Sequence, residues 1–211
     1  MSYLSVFAPS VFEKVIERSR FIAACAHTET EEQARAFVES IRTEHSLATH
    51  NCYAFVADKC GNLMRFSDDG EPQGTAGMPM LEVLKNKKLF ETAVVVTRYF
   101  GGIKLGAGGL VRAYSGVCSD VLAQADIREY TPCREVCLTV AYEHFDALKK
   151  FLNVRNTLVN DVAYADKVGV SAAVGQDELS DFLSDVQNYM AGRIECEQRG
   201  ESWYPFPVRT E

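Results

Sequence analysis

Ala93-Val94-Val95-Val96-Thr97-Arg98-Tyr99-Phe100-Gly101-Gly102-Ile103-Lys104-Leu105-Gly106-Ala107-Gly108-Gly109-Leu110-Val111-Arg112 is the stretch on which the fold turns. Its opening residues are apolar without alternation, the mark of a strand buried on both faces, so a strand from Thr92 to Arg98 is placed at the centre of a sheet. Its closing residues begin a helix. Leu110, Tyr114, Val117, Val121 and Ala125 repeat at helical spacing, giving about 18 residues from Gly108 onward, the longest helix of the chain. Five glycines join strand to helix, and a strand, a glycine loop and a helix amino terminus together favour an α/β architecture with a backbone concavity at the junction.

Upstream, Thr30-Glu31-Glu32-Gln33 has capping-box form, and Ala34, Phe37, Val38 and Ile41 follow at helical spacing, which predicts a helix over Glu31 to Glu44. Strands are predicted over Glu17 to Ala26, Cys52 to Asp58 and Leu63 to Phe66. Pro79 suits a first helical position, with Leu81 and Leu84 behind it and Lys85, Lys87 and Lys88 at the end that cations favour. Downstream, the pattern breaks around Glu129-Tyr130-Thr131-Pro132, and a linker is expected near Thr131. Strand (Glu135 to Ala141), helix (Phe145 to Val154) and strand (Leu158 to Tyr164) follow. An alternating run over Val168 to Val174, a helical run from Leu179 to Met190 and an alternation at Ile194 and Cys196 complete the order β-α-β-β-α-β, the signature of a ferredoxin-like sandwich. The expected division is a first domain over 1–130, a second over 133–203 and a tail over 204–211.

The 211 residues are 47% hydrophobic and 24% charged, enough for one large or two small cores. No apolar run approaches a membrane span, and Met1 to Ser10 lacks signal-peptide character, so a cytoplasmic protein is expected. Seven cysteines at irregular spacing, with no C-x-x-C pair, read as reduced thiols. The net charge of −7 argues against indiscriminate coating of nucleic acid. Locally the balance reverses, for Lys85, Lys87, Lys88, Arg98, Lys104 and Arg112 face one acid, Glu91, between residues 85 and 116.

Two segments carry candidate chemistry. In Phe66-Ser67-Asp68-Asp69-Gly70-Glu71-Pro72-Gln73-Gly74-Thr75-Ala76-Gly77, three carboxylates and three glycines lie between a strand and a helix. Asp68, Asp69 and Glu71 could hold a divalent cation or act as acid and base, or they could form an Asx-type turn whose acids cap the next helix. In the glycine segment, Gly101, Gly102, Gly106, Gly108 and Gly109 let backbone amides approach an anion, and Arg98, Lys104 and Arg112 would add charge-assisted contacts to a phosphate. The other reading of those glycines is a tight turn with close helix-to-strand packing. Neither G-x-x-x-x-G-K-[ST] nor a clean G-x-G-x-x-G is present, no hydrolase motif occurs, and no cofactor is called for. Tyr99 and Phe100 could stack bases, or belong to the core.

These two segments, with Ser19-Arg20-Phe21-Ile22 and the stretch from Ala34 to His50, resemble the signature of the IMPACT family in its bacterial, YigZ-like form. The resemblance spans roughly residues 10 to 130 and rests beyond Thr131 on element order. It implies an amino-terminal βαβ domain similar to domain IV of elongation factor G, followed by a ferredoxin-like domain similar to that factor's last one. Eukaryotic members carry a further amino-terminal interaction domain and act in translational control under stress. The resemblance implies here a bacterial-type stand-alone protein with no catalytic residues to carry over. The favoured expectation is a non-enzymatic regulator that binds RNA, the ribosome or a translation factor through the basic glycine loop. A metal-assisted enzyme acting on a phosphorylated small molecule or nucleotide, and a protein-interaction module, remain open beside it.

Overall fold

The computed structural model describes residues 2–208. It is an α+β protein with five helices and two antiparallel sheets, dividing into a unit over Tyr3–Glu129 and a unit over Tyr130–Phe206.

The first unit runs β1 (Tyr3–Val6), β2 (Ser10–Ile16), β3 (Ser19–His27), α1 (Glu31–Glu44), β4 (His50–Val56), β5 (Met64–Ser67), α2 (Gly77–Asn86), β6 (Thr92–Tyr99) and α3 (Gly106–Gln124). Its five-stranded sheet has the order β2-β3-β6-β4-β5, so the uniformly apolar β6 is central, as its sequence implies. Both β3 and β4 run antiparallel to β6, so β3-α1-β4 is a βαβ crossover with β6 between its strands. Helices cover both faces. Val94 and Val96 meet Met80 and Leu84 of α2 and Tyr114, Val117 and Val121 of α3 on one side. Ala93 meets Ala34 of α1 and Phe55 on the other.

The capping-box helix has the predicted bounds. Thr30 Oγ1 accepts from Gln33 N at 3.2 Å, and Gln33 Oε1 reaches back to accept from Glu29 N at 2.8 Å. Several predicted bounds move, the strand expected over Cys52 to Asp58 lying at His50–Val56 among them. α2 starts at Gly77 rather than Pro79, because Asp68 Oδ1 accepts from both Ala76 N and Gly77 N and fixes the turn earlier. The strand expected from Glu17 starts at Ser19, since Glu17 and Arg18 have φ of 45° and 63° and make the turn of a β2–β3 hairpin. That is the positive-φ pair a type I′ turn needs, built here without the Asn or Gly that would announce it.

The second unit runs through β7 (Ile127–Val140), α4 (Tyr142–Val154), β8 (Leu158–Tyr164), β9 (Val168–Gly175), a single 3-10 turn, α5 (Leu179–Tyr189) and β10 (Glu195–Pro207). β7 pairs with β9, β9 with β8, and β10 with β7, the strand order of a ferredoxin-like sheet. Val136, Leu138 and Val140 of β7 meet Leu148 and Leu152 of α4 and Phe182 and Val186 of α5 in its core.

Two expectations fail here. No linker interrupts the chain at Thr131, because β7 runs through it and its ladder with β9 begins at Cys133. Residues 204–207 are strand rather than tail, while residues 209–211 of the expected tail lie outside the described part. No helix among the described residues is long and apolar enough to cross a membrane.

Candidate functional site

The acidic segment folds as a set of caps. Asp68 Oδ1 accepts from Ala76 N at 3.0 Å and Gly77 N at 2.8 Å, and its Oδ2 from Gly74 N at 2.8 Å, satisfying the first amides of α2. Asp69 Oδ2 accepts from Asn51 N at 2.6 Å, while Oδ1 pairs with Arg42 at 2.9 Å. Gly77 is required by a close approach, since a Cβ there would lie 2.7 Å from Ser67 O. Among the described residues no three metal-ligating side chains group together. The carboxylates of Asp68 and Asp69 are occupied by protein donors, so the helix-capping reading of this loop is the one the structure carries.

Glu71 is a different matter. Its Oε1 accepts from Arg98 Nη1 at 2.6 Å and from the Tyr114 hydroxyl at 2.8 Å, a buried junction tying the loop to β6 and α3. Burial is the main cause that drives the Tyr114 hydroxyl far above the ordinary phenol range, with the Cys52 thiol and Glu71 beside it adding to the shift. Arg98 Nη2 also donates to Ser19 Oγ at 3.2 Å, and the guanidinium lies 5.4 Å from both the Phe21 and Phe100 rings. Arg98 is 4% exposed. It is therefore withdrawn from the expected anion surface and serves as a core ion pair. The strand period carried the signal, for Val94, Val96 and Arg98 alternate onto the face that α3 covers. The two polar segments are joined through this buried junction of Arg98, Glu71 and Tyr114.

The glycine segment divides by role. Gly101 is structural: a Cβ there would lie 1.9 Å from Arg18 O, so the loop packs backbone to backbone against the β2–β3 turn. Gly102 and Gly106 have φ of 88° and 69°, which glycine adopts without strain. Gly106, Gly108 and Gly109 fall inside the first turn of α3, two residues earlier than the helix was expected to begin. That turn has no side-chain cap and no acid, so its amides are left open.

Lys104 and Arg112 are exposed, and their side chains have no hydrogen-bond or ion-pair partner among the described residues. The Arg112 side chain folds back over the first turn of α3, where its Nη1 lies 3.7 Å from the place a Cβ on Gly108 would take. Both cations line an open pocket of about 500 Å³ with Ile16, Glu17, Ile103 and Leu105. Glu17 is the single carboxylate of that lining. The hairpin turn that supplies it was missed in the sequence because the residues at positive φ are not glycines. The basic stretch between residues 85 and 116 is not one surface: Lys85 pairs with Glu82 at 2.7 Å, Arg98 is internal, and Lys104 and Arg112 gather at the pocket.

The profile of the Impact N-terminal domain matches residues 17–122, which contain both loops, the Arg98–Glu71 junction and all of the pocket lining but Ile16. The chain belongs to the IMPACT family. It is 38% identical over 203 residues to the IMPACT family member YvyE of Bacillus subtilis, covering 96% of this chain and 93% of that one. It is 37% identical over 196 residues to YigZ of Escherichia coli, covering 92% and 96%. A shorter match, 32% over 91 residues, reaches the IMPACT homolog of Saccharomyces cerevisiae, covering 42% of this chain and 35% of that one. A crystal structure of a hypothetical protein superposes with a TM-score of 0.62 at 35% identity, covering 100% of this chain and 98% of the other. These two matches extend over both units of the chain.

Proposed function

We propose that this IMPACT-family protein is a non-catalytic regulator that binds RNA, alone or within the ribosome, through the first turn of α3, Lys104 and Arg112. One observation carries the reading. A guanidinium is folded onto the amino-terminal end of a helix whose own dipole is positive there, in a turn with no acid to offset it. A cation at that end is unfavourable by itself; a bound phosphate would relieve the repulsion and satisfy the open amides at once. The exposed glycines let a phosphodiester approach the backbone, and Lys104 supplies a second charge from the loop.

Glu17 on the pocket rim and the net charge of −7 limit the surface to a few phosphates rather than a long stretch of backbone. Binding is therefore expected to be weak, with a salt dependence whose slope is shallow because few phosphates are contacted. The test is sedimentation with ribosomes and with bulk RNA at low and moderate salt, comparing the native chain with Lys104→Ala/Arg112→Ala. Co-sedimentation that salt weakens and the double variant loses supports the reading. Each phosphate contact removed takes about 0.7–0.9 off the slope of log K against log salt. Equal binding by both proteins at low salt would remove the glycine loop from the function.

A further inference from the structure

Phe100 lies between β6 and the glycine loop with 47% of its surface exposed. Alternation along the strand sends it to the side of Arg98, and the Arg98 guanidinium backs its ring at 5.4 Å from the centroid. That guanidinium is itself held by Glu71 and Ser19. The Phe100 backbone N–H donates to Thr49 Oγ1 at 3.1 Å, and Gly101 next to it is packed against Arg18 O. The ring thus stands at a fixed place, with a cation behind it and a large part of its surface open to water.

An aromatic ring left open costs free energy that burial would recover. The same chain segment then carries Lys104, four residues on, at a reach of no more than about 14 Å. A fixed ring and a cation on one short loop, with Arg112 of α3 beyond it, are the two components of single-strand recognition: stacking for bases and charge for the backbone. A base inside a duplex is stacked on both faces and cannot meet the ring; an unpaired base can.

We infer that the RNA taken by this surface is unpaired, with one base stacked on Phe100 while neighbouring phosphates lie on Lys104, Arg112 and the first amides of α3. The inference rests on the RNA reading above and narrows it to single-stranded segments. Stacking accepts any base, so the surface selects strandedness and not sequence.

The test is fluorescence anisotropy with a labelled single-stranded oligoadenylate of about 12 nucleotides, within the span that single-strand grooves cover, against an RNA duplex of equal length. Phe100→Ala is expected to weaken the single strand about 5-fold or more, with the salt slope unchanged because no phosphate contact is lost. Phe100→Leu keeps an apolar cover over Arg98 without an aromatic face, and is expected to match the alanine variant. Phe100→Trp is expected to bind at least as well as the native chain, with quenching of the new indole measured against Trp203. Native-like affinity of the Ala and Leu variants, beside weakened binding by Lys104→Ala/Arg112→Ala, would overturn stacking and leave the RNA reading intact. Phe100 variants that weaken duplex and single strand alike would also overturn it. No binding of either RNA by the native chain at the lowest salt would remove both readings together.

Discussion

At the scale of single residues, Arg98 shows how position in a strand outranks charge in a stretch of sequence. Counted with its neighbours it belongs to a basic run, yet its register puts it beside Glu71 and Tyr114 under α3. Arg98→Met is expected to cost about 3–5 kcal/mol, because it leaves the Glu71 carboxylate buried with the Tyr114 hydroxyl as its remaining close donor. Replacing Arg98 and Glu71 together by apolar residues of similar volume should cost far less than the sum of the single changes. Chemical unfolding of the four members of that cycle measures the difference, and additive single costs would show that the pair is not coupled. The cysteines are legible at the same scale. Burial pushes the Cys25 thiol up to about 11 and Cys52 to about 12, while Cys60 is exposed. Iodoacetamide at mildly alkaline pH should therefore label Cys60 first in the native protein, with Cys25 and Cys52 following only on unfolding; mass mapping of the adducts decides it.

At the scale of elements, α1 could be read to the residue because its boundaries are set locally, by Thr30 and Gln33 acting on their own amides. The β2–β3 hairpin could not. Its turn uses Glu17 and Arg18 at positive φ, and Val11 and Val15 face outward at 62% and 64% exposure, so neither turn chemistry nor alternation announces it. The start of α3 lies between these cases. Its glycines were visible, but the sequence did not separate those the fold needs from those it merely permits. Gly101 is needed, and Gly101→Ala should prevent the loop from closing on Arg18. Gly108 has no positive φ, and a Cβ there meets nothing nearer than Arg112 at 3.7 Å. Gly108→Ala should stabilise the protein by about 0.5 kcal/mol through helix propensity. If the first turn of α3 accepts a phosphate, the same methyl group obstructs the backbone and binding falls while stability rises. Thermal melting and RNA titration on the one variant separate these effects; a rise in both would place the phosphate elsewhere.

At the scale of the whole molecule, the order β-α-β-β-α-β could be read because each element of the second unit keeps a clean period, but the end of the chain could not. Tyr204-Pro205-Phe206-Pro207 carries two prolines, which argue against a central strand. β10 pairs with β7 alone in the observed order, and an edge strand tolerates a missing N–H wherever that position faces water. A side chain holds these residues in addition to the pairing with β7. The Tyr204 hydroxyl donates to Glu135 Oε1 at 2.6 Å and accepts from Asn160 Nδ2 at 2.9 Å, and partial burial is the main cause that raises its pKa, with Glu135 adding to it. A tail could be cut away without effect. Truncation after Trp203 should instead lower the stability of the second unit by at least about 1 kcal/mol, the contribution of a half-buried hydrogen bond to an ionised carboxylate. For a unit of this size that is a fall of about 4 °C or more in its melting temperature. Tyr204→Phe isolates the hydroxyl from the rest of the strand: a loss similar to the truncation would assign the effect to Glu135, and an unchanged melt would assign it to the β7–β10 pairing.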